Sequence, residues 1–171
     1  MRKVFIGSLL TIILSLAASA QNRTFTRDGL EYALDLPSVS WRAVSRLDVH
    51  EHFEFVNGAD YRNGHLRLRK KIVAPGTSAA DIFREDEKWE LQRLSGYVSC
   101  NGGNSRDLLG HLRAKVFAYE YVSQGRNMDG RIYYLQVDSR TFYALYFTIA
   151  SDKLSAAREQ IDSVAQSFRL K

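Results

Sequence analysis

The sequence predicts an α+β domain, an antiparallel sheet of six or seven strands with helices packed on it. Three observations carry this. Two neighbouring segments, 48–56 and 65–73, alternate polar and apolar residues, the period of a strand with one buried face. Residues 141–150, Thr-Phe-Tyr-Ala-Leu-Tyr-Phe-Thr-Ile-Ala, are almost continuously apolar and rich in aromatics, as suits a strand covered on both faces. Leu154, Ala157, Ile161, Val164, Ala165 and Phe168 recur at helical spacing, on one arc of about 100°.

Taken in order, the chain opens with Arg2 and Lys3, an uncharged stretch from Val4 to Leu16, and the small residues Ala18-Ser19-Ala20. That is the order of a secretory signal peptide, and the apolar run is too short for the roughly 20 residues of a membrane span. Cleavage is expected between Ala20 and Gln21, leaving residues 21–171 as one domain, exported to a periplasm or the extracellular space, with no stable membrane anchor. N-terminal sequencing of the secreted protein should read from Gln21; a protein that begins at Met1 rules the cleavage out.

Tyr32 to Leu36 reads as a strand stopped by Pro37, and Trp41 to Val44 as a short second one. In 48–56, Val49, Phe53 and Phe55 share a face opposite Asp48, His50, His52 and Glu54, with Glu51 the exception on the apolar side. In 65–73, Leu66, Leu68 and Ile72 oppose His65, Arg67, Arg69 and Lys71, with Lys70 the exception. The Asn57-Gly58 and Asn63-Gly64 dipeptides between them are turn signals. A helix is expected over 78–94: Ser78 and Asp81 form a capping box, and Ala79, Ile82, Phe83, Trp89 and Leu94 fall on one broad side, where Asp86 and Glu90 intrude. Asn101-Gly102-Gly103-Asn104 reads as a loop, Leu112 to Val122 as a strand, Asp129-Gly130 as a turn and Arg131 to Val137 as the next strand. Ser151 is placed to cap the terminal helix.

Leu36-Pro37 followed by Trp41 at the head of the next strand, the aromatic strand Phe142 to Ile149, and the closing Ile161, Val164, Ser167 and Phe168 together resemble the PsbP-like family, over most of residues 25–171. The resemblance implies an α/β/α sandwich with helices on both faces of the antiparallel sheet. Relatives in that family, the extrinsic photosystem II subunit and a nuclear-import factor that binds the Ran GTPase, act by docking on partners. Pro37, Trp41, Ser167 and Phe168 are packing positions, and no functional residue is carried over from the family.

Composition narrows the classes further. With 45% hydrophobic and 25% charged residues, 11 Gly and 2 Pro in 171 residues, the chain is neither collagen-like nor low-complexity nor disordered. Its net charge of +5 is mild for a nucleic-acid binder, and the densest basic cluster lacks the interleaved aromatics that stack on bases. The single Cys100 excludes an internal disulfide and a paired-cysteine metal knuckle; it is read as a small buried hydrophobe. A nucleophile–base pairing of Cys100 with His111 matches no cysteine-protease signature. No phosphate-cradling, zincin or nucleophile-elbow motif occurs, so no cofactor is expected.

Three sets remain. His50 and His52, with Asp48 and Glu54, could present two imidazoles to a metal and so serve a metal-dependent enzyme. A hairpin through 57–64 instead sets Glu54 opposite Arg67, His52 opposite Arg69 and His50 opposite Lys71, a charge-paired face that repels a divalent cation. Asp86 and Glu90 lie one helical turn apart, as paired carboxylates for acid–base work do; the simpler expectation is a solvated face with Glu90 paired to Arg93. Arg67, Arg69 and Lys71 point the same way and could meet an acidic partner or an anionic lipid or polymer; the simpler expectation is a solvated face that also blunts strand pairing. The favoured expectation is an exported, non-enzymatic binding module with a protein partner; the alternatives are a carrier of a small apolar ligand between sheet and helix, and the metal-dependent enzyme.

Overall fold

The computed structural model describes residues 23–38, 40–44, 53–109 and 112–171. Its strands are β1 (Arg23–Phe25), β2 (Tyr32–Leu36), β3 (Trp41–Val44), β4 (Phe53–Asn57), β5 (His65–Ile72), β6 (Val98–Leu109), β7 (Leu112–Ser123), β8 (Arg126–Gln136), β9 (Thr141–Ala150) and β10 (Arg169–Leu170). Its α-helices are α1 (Ala79–Trp89) and α2 (Leu154–Ser167). Seven strands make one antiparallel sheet in the order β3-β4-β5-β9-β8-β7-β6, and β1-β2-β10 make a second.

The strand period builds two cores from one sheet. Along β9, Tyr143, Leu145, Phe147 and Ile149 enter one cluster, with Tyr133 and Leu135 of β8, the β2 residues and Ile161, Val164, Ala165 and Phe168 of α2. Their sequence neighbours Phe142, Ala144 and Tyr146 enter the other, with Ile132 and Tyr134 of β8, Phe117 and Tyr119 of β7, and Ile82 and Phe83 of α1. Helices therefore cover both faces, and the near-continuous apolar run of β9 is explained by its central place. The closing residues have defined tasks. The Ser167 hydroxyl accepts the Asp35 amide at 2.8 Å and donates to the Val164 carbonyl at 2.7 Å, while the Phe168 ring meets Tyr143 and Tyr32 at centroid distances of 4.9 and 5.6 Å. Trp41, at the head of β3, is buried against Phe147.

The structure corrects four local expectations. Asp129-Gly130 is no turn; it lies inside β8, and the reversal is at Gln124-Gly125, both with positive φ, as a two-residue hairpin closed by Ser123 opposite Arg126 demands. Gly130 is instead a place where a neighbour crosses the backbone: a Cβ there would stand 2.0 Å from Cζ of Tyr119, the residue directly opposite. Asn101 to Asn104 belongs to β6, where the pairing register shifts between Cys100 and Asn104; the Gly pair marks a bulge. Helix α1 stops at Trp89, a 3-10 turn follows over Leu91–Arg93, and Trp89 is exposed. Ser151 opens a 3-10 turn, so α2 starts after Lys153, which makes no side-chain cap. The Ser78–Asp81 capping box is present in both directions.

No described helix is long and apolar enough to cross a membrane.

Candidate cleft beside helix α1

The hairpin register is the predicted one over the described residues: Glu54 stands opposite Arg67 and Val56 opposite His65. His50, His52, Asp48 and His111 lie outside the described residues, as do Ala20 and Gln21.

What covers the polar face of β5 is not solvent. Leu66 and Leu68 point into the core shared with α2; Arg67, Arg69 and Lys71 alternate with them and therefore face α1, whose Asp86 and Glu90 descend on them. Asp86 is buried, 4% exposed. One of its carboxylate oxygens takes Lys71 Nζ; the other accepts the hydroxyls of Tyr134 and Tyr146, each at 2.6 Å. Burial, joined by the Asp86 carboxylate, pushes both phenols far above the ordinary tyrosine range, so they remain donors. Glu90 gives one oxygen to Arg67, at 3.1 Å, and the other to Arg69. The expected solvated Asp86/Glu90 face, and a Glu90–Arg93 pair, are thus replaced by ion pairs between helix and sheet. The apparent intrusion of two acids on the apolar side of α1 was the signal for this, since a buried carboxylate requires a cation or donors facing it.

Lys70, on the opposite side of β5, reaches Glu31, and that contact, with the Tyr143 hydroxyl, holds the Glu31 carboxyl below its usual range. Cys100 is half-buried rather than buried, and burial, with the Glu120 carboxylate beside it, raises its thiol. A raised thiol is a poor nucleophile at neutral pH.

At the C-terminal end of α1 the layer parts. A cleft of about 270 Å³ opens there, lined by Tyr146 and Thr148 of β9, Tyr119 and Tyr121 of β7, His65 and Arg67 of β5, and Glu90, Leu91 and Leu94. A second depression of about 340 Å³ shares His65, Tyr121 and Thr148 and extends past Asp60 and Arg62. The Arg67 guanidinium lies over the Tyr146 ring, 4.8 Å from its centroid, a favourable cation–π placement. Its side chain is 28% exposed, and its Nε is buried without a hydrogen-bond partner among the described residues. Sequence reasoning found Arg67 and missed the tyrosines, because they come from strands far apart in the chain.

Burial holds the His65 imidazole below its ordinary value of 6.5; Glu54, 4.0 Å away, opposes this and Arg67 adds to it. Below pH 6.5 the unfolded chain therefore takes up a proton that the folded one does not. Stability from this group is complete above that pH and falls as pH drops toward the folded value. In urea titrations between pH 7.5 and 5, the stability of the wild type relative to His65→Gln should decline with acidification; a constant difference contradicts the assignment.

No protein-family model matches the sequence, and no curated protein matches it. Solved structures do. A protein of Bacteroides thetaiotaomicron VPI-5482 superposes with a TM-score of 0.61 at 12% identity, over 88% of this chain, which spans only 49% of that protein's length. Cyanobacterial PsbP (CyanoP) from Synechocystis sp. PCC 6803 gives 0.62 at 13% identity, over 92% of this chain and 96% of that one. The Ran-binding protein Mog1p of Saccharomyces cerevisiae gives 0.62 at 8% identity, over 89% and 96%. With its seven-stranded antiparallel sheet held between α1 on one face and α2 on the other, the chain has the PsbP/Mog1-like fold.

Proposed function

We propose that the protein is an exported, non-enzymatic accessory module that binds a protein partner through the cleft beside α1. The single observation that carries this is the cleft itself. Where Phe83 stacks on Phe117 at a centroid distance of 4.1 Å the α1 layer is closely packed, whereas here Arg67, Glu90 and three tyrosines border open space. Tyrosine and arginine are the residues in which binding energy concentrates at protein interfaces. The cleft's lining includes the charged side chains of Arg67 and Glu90, which favours a polar segment of a partner over a carried apolar ligand. Asp86 is occupied by Lys71 and two tyrosines, which argues for a structural role over acid–base chemistry. The signal-like residues 1–20 support export, to a periplasm or beyond the cell. The fold likeness to a protein described as Ran-binding is an analogy in the same direction.

The test is affinity capture from the exported fraction with wild type and a cleft-filling Thr148→Trp variant. Wild type should retain a partner that the variant loses at unchanged thermal stability. Equal capture by both, or none by either, rejects the reading.

A further inference from the structure

We infer that the groove between the free edges of β1 and β3 is a docking site for an extended, acidic segment of a protein partner, separate from the cleft beside α1. Each of these strands ends its sheet: β1 pairs only with β2, and β3 only with β4. Between them lies a depression of about 340 Å³, lined by residues 23–26, residues 41–43 and Leu36. None of these residues lines the cleft beside α1. An open strand edge carries unpaired N–H and C=O groups, on which an extended peptide adds as a further strand.

The charge of the groove selects the occupant. Among the described residues its lining holds two cations, Arg23 and Arg42, both exposed, and no acid. Arg42 gives its Nε to the Gly58 carbonyl at 3.2 Å, which leaves the two terminal nitrogens of the guanidinium for a carboxylate. Neither arginine is in an ion pair among the described residues. The acids of the neighbouring strands are engaged elsewhere. Asp35, opposite Thr24, accepts the Thr24 hydroxyl at 2.7 Å and Arg169 at 3.2 Å. Glu54, one pair along from Arg42, stands 4.0 Å from His65. A second copy of this chain, pairing through the same edge, would bring arginine against arginine, and like charges across strands are destabilising. A strand carrying glutamate or aspartate meets the opposite sign.

Apart from Thr24 and Thr26, the rest of the lining is apolar: Phe25, Leu36, Trp41 and Ala43. An extended segment that alternates acidic and apolar residues presents one kind to each side, and so suits a groove of this mixed character. Trp41 is 5% exposed, and its indole Nε1 is buried with no hydrogen-bond partner among the described residues. A buried donor without an acceptor is unfavourable, and the carbonyl row of an added strand brings acceptors to the groove that Trp41 lines.

The experiment uses the exported protein and three blocked hexapeptides in titration calorimetry at low salt: alternating glutamate and valine, its glutamine–valine counterpart, and the glutamate peptide N-methylated at every residue, which removes the backbone donors. The glutamate peptide should bind about tenfold or more tighter than the glutamine peptide, the ratio expected for one charge-assisted contact. It should exceed the N-methylated peptide by a similar factor. The double variant Arg23→Gln/Arg42→Gln, at two exposed positions, should erase the preference for glutamate. Equal binding of the glutamate and glutamine peptides to wild type overturns the inference, and so does a preference that survives the double variant. An N-methylated peptide that binds as tightly as its parent overturns strand addition. Trp41 and Trp89 are the two tryptophans of the chain, so in Trp89→Phe the emission of Trp41 should change on titration with the glutamate peptide; binding without that change overturns the placement. Thr148→Trp, which fills the cleft beside α1, should bind the peptide as wild type does. If it does not, the peptide occupies that cleft, and the groove inference fails while the reading of the cleft stands.

Discussion

Asp86→Ala should destabilise the protein by about 3–5 kcal/mol, the cost of removing one member of a buried ion pair. The substitution strands Lys71 Nζ and leaves the hydroxyls of Tyr134 and Tyr146 without their acceptor. Domains of this size have total stabilities of about 5–15 kcal/mol, so the loss consumes a large share of what holds the fold. Urea unfolding with a two-state fit measures it. Asp86→Asn keeps an acceptor oxygen for the tyrosines but turns an amide NH2 toward Lys71 Nζ in place of the charged oxygen; it opens no cavity, and its cost provides a reading if the alanine variant does not fold. A double-mutant cycle with Lys71→Met should show positive coupling: with the cation gone, Asp86→Ala costs less than it does in the wild type. A loss below about 1 kcal/mol for Asp86→Ala would mean that the Asp86 contacts add little to what Ile82, Phe83 and the Glu90 ion pairs contribute to holding α1 on the sheet.

The second large effect is expected at Gly130. Placing a methyl group 2.0 Å from Tyr119 Cζ and 2.4 Å from Cε1 and Cε2 forces the buried ring or the central strand to move. Overpacking of this kind costs about 1–3 kcal/mol. The upper end is expected, because Tyr119 is 3% exposed and packed against Tyr97 and Tyr121. In a Tyr119→Ala background the clash is gone, and Gly130→Ala should become neutral or slightly stabilising, since alanine orders a strand more readily than glycine. Thermal melts of the four proteins in the cycle decide it; equal shifts in both backgrounds would show that the ring is not the obstacle. Displacing Tyr119 also deforms a wall of the cleft, so the same variant should weaken partner capture.

Gly130 shows how a local pattern misleads. Asp-Gly is a frequent turn, and nothing within a few residues says that a tyrosine eleven positions earlier will lie across it. The true reversal, Gln124-Gly125, carries its own glycine at positive φ but a weaker dipeptide signal. Asn101 to Asn104 misled for a related reason: β6 forms the sheet edge, where a bulged, glycine-containing strand is tolerated because only one neighbour must be matched.

The near-continuous apolar run 141–150 marked a strand covered on both faces, and period two in 65–73 and period 3.6 in α2 fixed which side chains share a face, because that depends only on backbone geometry and is written in consecutive residues. The same periods gave the sheet, the Glu54–Arg67 register and the role of Phe168. Which object lies against each face is a different kind of fact. Arg67, Arg69 and Lys71 read as a solvated stripe because alternation is the same whether water or a helix covers it. Only the folded chain brings Asp86 and Glu90 onto that stripe and Tyr119, Tyr121 and Tyr146 around Arg67, since electrostatic and packing energies depend on distance in space, and residues sixty positions apart have none until the sheet has closed between them.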